Sequence, residues 1–133
     1  MESQRMPKIL IVEDEMITAR DLEHCLTSIG CQVVGIASSA EEAIAKVGLT
    51  QPDLILMDIV LAGPVDGVST TQRIQSQHDI PVIYVTAYSD AQTVKRAMHS
   101  RPYGYVVKPF KEEQLRDAIG AALERHRSVR GEA

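Results

Sequence analysis

Apolar residues gather in five short runs, each of strand length: residues 8–12, 32–37, 53–57, 81–85 and 103–107. They are apolar almost throughout, as strands covered on both faces are, rather than alternating apolar with polar. Between them the period changes to that of helices. Leu22, Cys25, Leu26 and Ile29 stand at i, i+3, i+4 and i+7, as do Ala40, Ala43, Ile44 and Val47, and Leu115, Ala118, Ile119 and Ala122. Two weaker helices are expected from Gly67 to about Ser76, with Val68, Thr71 and Ile74 inward, and from Asp90 to about Ser100, with Val94, Ala97 and Met98 inward. Ser39 with Glu42 and Ser89 with Gln92 have capping-box spacing, and Gly30 and Pro52 mark stops.

Five strand-helix repeats with strands of this kind call for right-handed crossovers and helices on both faces of a parallel sheet. The expected fold is a doubly wound α/β sheet of five strands in the order 2-1-3-4-5. Ligands of such sheets bind beyond the carboxyl ends of the strands where the winding reverses, here between strands 1 and 3. The residues just past four strand ends are Glu13-Asp14, Asp58, Thr86 and Lys108-Pro109. They are expected to share one crevice.

Composition narrows the picture. With 133 residues and 44% apolar content the chain suits one domain, and no internal linker interrupts the repeats. Residues 1–7 and 128–133 read as a flexible start and a tail around a folded 8–127. A net charge of −4 gives no general attraction to nucleic acid, and Arg125, Arg127 and Arg130 read as a solvated, dipole-favourable helix end. Cys25 and Cys31 lack metal-site or redox spacing and are expected to be reduced, mostly buried thiols. No apolar stretch could span a bilayer and no secretion signal is present, so a soluble, cytoplasmic protein is expected.

Three carboxylates in one crevice repel each other, and a hard cation removes the repulsion. Glu13, Asp14 and Asp58 therefore form a candidate metal site. Magnesium suits them best because it takes a few carboxylates and accepts phosphate oxygens as further ligands, although calcium and manganese share that donor chemistry. The competing reading of Glu13-Asp14-Glu15 is an acidic helix start, and it leaves Asp58 unexplained. Facing these acids, Lys108 is expected to be drawn inward, to pair with a carboxylate or later with a phosphoryl oxygen. Its bond to Pro109 is a plausible cis peptide. Thr86 offers a hydroxyl to a phosphoryl group on Asp58, with catalysis mostly by positioning and charge neutralisation.

In Ile9-Leu10-Ile11-Val12-Glu13-Asp14-Glu15, Leu54-Ile55-Leu56-Met57-Asp58, Val85-Thr86-Ala87 and Gly104-Tyr105-Val106-Val107-Lys108-Pro109-Phe110, taken in order, the chain resembles the receiver domain of two-component response regulators over essentially Lys8 to Arg127. The resemblance implies a phosphoacceptor signalling domain rather than an enzyme, one that assists its own phosphorylation and dephosphorylation. Asp58 would take a phosphoryl group from a histidine kinase or histidine phosphotransfer protein, with Mg²⁺ held by Glu13, Asp14, Asp58 and the backbone carbonyl of Val60. Lys108 and Thr86 would be the other catalytic residues, Thr86 and Tyr105 the switch pair, and Pro109 the cis-proline. Output would pass through helix 4, strand 5 and helix 5, with homodimer formation left open and no direct binding of nucleic acid or membrane. Val60 and Tyr88, two past Asp58 and two past Thr86, would border the approach of hydrolytic water, and slow loss of the phosphoryl group is expected.

Two departures qualify the resemblance. The loop from Ile59 to Gly67 is one residue longer than the commonest version, and Ser100-Arg101-Pro102-Tyr103-Gly104 differs from the pattern of the large DNA-binding subfamily. Among other classes, a flavin-binding electron carrier of the same strand order would need a glycine-rich phosphate loop where three acids stand. A hydrolase acting through an aspartyl phosphate would need a second acid at Val60. A pseudo-receiver serving only as a binding surface would be expected to lack one of the acids, the threonine or the lysine, all of which are present.

Overall fold

The structure, a computed structural model, describes residues 6–61, 65–87, 91–129 and 131, with only the backbone described for 91–94. Five repeats follow in order: β1 (Lys8–Val12), α1 (Met16–Ser28), β2 (Gln32–Ala37), α2 (Ala40–Thr50), β3 (Leu54–Met57), α3 (Gly67–Gln75), β4 (Val82–Ala87), α4 (Ala91–His99), β5 (Gly104–Lys108) and α5 (Glu112–Val129). The strands form one parallel sheet in the order β2-β1-β3-β4-β5, as the apolar runs predict. One face packs Ile9, Ile11, Leu54, Leu56, Ile83 and Val85 against α1 and α5; the other packs Leu10, Val12, Ile55, Met57 and Tyr84 against α2, α3 and α4. Fully burying each large apolar side chain contributes about 1.5–3 kcal/mol, so two such layers hold the sheet rigid between them.

Register aligns the strand ends. Val12 pairs with Met57, which sets Glu13 level with Asp58, and Thr86 pairs with Val107. Two strands outlast their apolar runs: β4 continues through Thr86 to Ala87, and β5 begins at Gly104 and includes Lys108. Thr86 and Lys108 thus lie inside the ladder rather than just past it. The ladder needs only backbone groups, which side-chain polarity does not interrupt.

Helix boundaries show where local chemistry decides. Gly30, at φ 93°, takes the left-handed turn after α1, and Ile29 lies at the C-cap rather than in the helix. Ser39 accepts the Glu42 N–H at 3.3 Å. The Glu42 carboxylate, however, accepts the N–H of Ser38 at 2.7 Å and its hydroxyl at 3.0 Å, one residue upstream of the reciprocal box expected. The Ser89 and Gln92 pairing involves residues outside those described. In α3, Val68, Thr71 and Ile74 are buried as the spacing predicts. In α4, Ala97 is buried but Met98 is 53% exposed, because one step along a helix turns a side chain by about 100° and carries Met98 off the face that Ala97 buries; the Val94 side chain is not among those described.

Cys31 is buried and Cys25 half-buried, both as free thiols. Burial pushes both thiols up, with Glu112 and Asp21 adding to the effect at Cys25. Near the far end of α5, His126 is buried, bonds Asp79 at 3.0 Å and meets Tyr103 edge-on, while Arg125 lies over the Tyr103 ring at 4.9 Å. Arg125 therefore packs on an aromatic face instead of simply meeting water. Among the described residues no helix is long and apolar enough to cross a membrane.

Candidate functional site

Main-chain bonds carry the sheet one residue beyond β1 and β3. The Glu13 N–H donates to the Ala37 carbonyl at 2.8 Å, and the Asp58 N–H to the Val12 carbonyl at 2.9 Å. Both acids are thereby fixed by backbone at the sheet edge, buried to 3% and 7% exposure, while Asp14 is exposed. One carboxylate oxygen from each of Glu13, Asp14 and Asp58 lies within 4.8 Å of the others. Glu13, Asp14 and Glu15 all precede the first residue of α1, and Glu15 is its N-cap without a side-chain cap bond.

Lys108 reaches into this cluster from β5. Its Nζ donates to Glu13 Oε1 at 2.8 Å and lies 3.4 Å from Asp58 Oδ2, with the side chain 20% exposed. The following bond, Lys108–Pro109, is cis. The second Glu13 oxygen accepts the Glu15 N–H at 3.1 Å, and Asp58 Oδ1 accepts the Val60 N–H at 3.3 Å. Burial pushes the Glu13 carboxyl up to about 7, against the pull of the Lys108 ammonium and with help from the Asp58 charge. Burial alone would lower Lys108; its two carboxylate partners outweigh that and hold it above the ordinary lysine value. Lys108 pairs with the two buried acids, and exposed Asp14 stands beside them, so among the described residues the cluster gathers three acids around one ammonium. The donor set, all hard oxygens, fits a divalent cation such as Mg²⁺.

Thr86 is buried near the end of β4. Because Tyr84 pairs with Tyr105, and strand residues two apart share a face, Thr86 and Tyr105 stand on the same side of the sheet. Tyr105 is half-buried against the layer containing Tyr84, with its hydroxyl already inward. Val60 is 65% exposed, two residues past Asp58, and Tyr88 lies outside the described residues. The structure thus brings Glu13, Asp14, Asp58 and Lys108 into one cluster and stands Thr86 and Tyr105 on neighbouring strands beside it.

One element of the site was not singled out from sequence. Gly67 opens α3 directly against the backbone of Asp58: its N–H donates to the Ile59 carbonyl at 2.7 Å, and a Cβ there would collide with the Asp58 carbonyl oxygen and come within 2.8 Å of Ile59 Cα. Asp66, its neighbour, is the N-cap of α3 and is gripped by Arg96 from α4. Asp before Gly at a helix start is a readable cap signal. No pattern in the chain pairs it with Arg96.

The family described as "Response regulator receiver domain" matches residues 9–120. The chain is 34% identical over 122 residues to the transcriptional regulatory protein PdtaR of Mycobacterium tuberculosis, covering 92% of this chain and 59% of that protein. It therefore spans about three fifths of that relative's length. Among solved structures, the signal receiver domain of a modulated diguanylate cyclase from Desulfovibrio desulfuricans superposes with a TM-score of 0.89 at 34% identity, covering 94% of this chain and 99% of that one. The N-terminal domain of a response regulator/sensory box/GGDEF protein from Carboxydothermus hydrogenoformans gives 0.83 at 37% identity, covering 92% and 98%. With a family match over most of its length, and the strand order and acidic cluster above, the chain belongs to the response regulator receiver domain family.

Proposed function

We propose that the chain accepts a phosphoryl group on Asp58 from the phosphohistidine of a histidine kinase or phosphotransfer protein, with Mg²⁺, and signals through α4, β5 and α5. The observation that carries this reading is the buried Asp58 carboxylate held beside the Lys108 ammonium and two further acids. An Asp58 oxygen attacks phosphorus, the O–P bond forms as the P–N bond breaks, and the electron pair leaves with the imidazole, which takes up a proton. Glu13, Asp14, Asp58 and the Val60 carbonyl would hold the cation, which supplies neutralisation of the phosphoryl charge. Lys108 moves its ammonium from carboxylate to phosphoryl oxygen, a charge-assisted contact in either state. The Thr86 hydroxyl donates to another phosphoryl oxygen, and Tyr105 fills the space on the same face.

The test is phosphorylation by acetyl phosphate with Mg²⁺, read as one added phosphoryl group by mass and removed by hydroxylamine. Asp58→Asn is expected to abolish the adduct, as is chelation of Mg²⁺; an adduct that persists in Asp58→Asn would falsify the assignment. The same adduct tests the lifetime. The exposed Val60 side chain has no group to orient water, so Val60→Asn is expected to speed hydrolysis of the phosphoryl group several-fold, each tenfold corresponding to about 1.4 kcal/mol. Unchanged decay in Val60→Asn would remove that position from control of the lifetime.

A further inference from the structure

We infer that Arg96, reaching across from α4, is a positioning residue for the phosphoacceptor loop; the inference rests on the reading of Asp58 as acceptor. The loop leaves β3 at Asp58 and enters α3 at Gly67. At its far end the loop touches its own beginning, since the Gly67 N–H bonds the Ile59 carbonyl at 2.7 Å and the missing Gly67 side chain lets the backbone lie against the Asp58 carbonyl. A shift of the first turn of α3 is therefore a shift of the acceptor's backbone.

That first turn is held from two sides. Asp66 caps α3 by accepting the Ser69 N–H at 3.0 Å, and its carbonyl accepts the Thr70 N–H at 3.0 Å and the Thr70 hydroxyl at 2.7 Å. Arg96 then grips the same carboxylate with both prongs, Nη1 to Oδ2 at 2.7 Å and Nη2 to Oδ1 at 3.0 Å, and places Nη2 3.4 Å from the Ser69 hydroxyl. Partial burial works against ionisation of Asp66, yet the Arg96 fork and the Ser69 N–H hold its carboxyl below the usual range. The Arg96 and Asp66 side chains are 50% and 33% exposed, so the pair adds little to global stability. Its effect is directional. A planar fork fixes orientation as well as distance, which a lysine at that position would not do. Since Arg96 is on α4 and Asp66 abuts the acceptor loop, the position of α4 and the geometry around Asp58 are linked, and linkage is reciprocal.

The test uses the full chain with Arg96→Ala, Arg96→Lys, Asp66→Asn, which keeps a capping oxygen, and the double variant Arg96→Ala/Asp66→Asn. Amide hydrogen exchange of 58–61 and 67–70 is read on the metal-free proteins, and Mg²⁺ affinity by calorimetry with MgCl₂. The expected result is exchange about three- to fivefold faster and a Mg²⁺ Kd raised about three- to fivefold in Arg96→Ala and Asp66→Asn, the range that a well-aligned exposed pair allows. Arg96→Lys is expected to recover only part of the loss, and the double variant to be no worse than either single one. A fall in thermal midpoint with wild-type exchange at 58–61 and wild-type Mg²⁺ Kd would make the pair merely structural and overturn the inference, as would additive effects in the double variant. If the wild-type chain neither binds Mg²⁺ nor accepts the phosphoryl group, the acceptor reading fails. Exchange at 58–61 then decides alone: acceleration in both single variants keeps the positioning, and wild-type rates overturn it.

Discussion

Glu13 shows how one buried side chain sets the charge state of the cluster. It is 3% exposed, and burial followed by the Asp58 charge lifts its carboxyl to about 7 even with Lys108 at 2.8 Å. A folded-state value above the ordinary 4.5 means that the folded chain binds this proton more tightly than the unfolded chain. The resulting stability is present in acid and is lost as pH rises from 4.5 through about 7. Metal-free protein is therefore expected to lose more stability than Glu13→Gln between about pH 5 and about pH 8, read from urea midpoints. Mg²⁺ is expected to restore the difference, since a cation reverses the local preference for the neutral acid. Parallel pH profiles for the two proteins would refute the role given to Glu13.

At the scale of elements, α4 and β5 are where a change at the acceptor is expected to be read. Thr86 lies one residue from the end of the strand that leads toward α4, Tyr105 lies on its face of the sheet, and Arg96 ties the helix to Asp66 at the start of α3. Phosphorylation is expected to change amide exchange mainly in α4, β5 and the start of α5, while α1 and α2 keep their rates; changes confined to α1 and α2 would contradict that route. Much of this architecture was legible in the sequence. Buried parallel strands must be apolar on both faces, so residues such as Leu54, Ile55, Leu56 and Met57 announce β3, and the acids at the ends of β1 and β3 follow from strand order. Strand ends were less legible, because Thr86 and Lys108 join the ladder through backbone that side-chain type does not report. Met98 was misplaced because Met98 and Ala97 both satisfy a helical period, and only the helix rotation decides between them. The Arg96 to Asp66 contact was not legible at all, since it depends on where a nine-residue helix sits over a loop 30 residues earlier.

At the scale of the whole molecule, the sheet assembles the cluster from distant parts of the chain. β1 is an interior strand that pairs with β2 and β3, so Glu13, Asp14 and Asp58 need only the first three strands, whereas Lys108 arrives with β5 at the sheet's far edge. The Lys108 to Glu13 contact spans 95 residues of sequence. A chain emerging from synthesis, or a fragment ending before β5, has its carboxylates without their ammonium and without the surface of α5. A fragment stopping short of Lys108 is expected to show no acceptance of phosphoryl from acetyl phosphate, even where it still gathers the three acids; an adduct on such a fragment would show that Lys108 is dispensable. The 95-residue contact would thus act as a completeness check. On the proposed reading, a message would be written on Asp58 only after the part of the protein that would deliver it has folded into place.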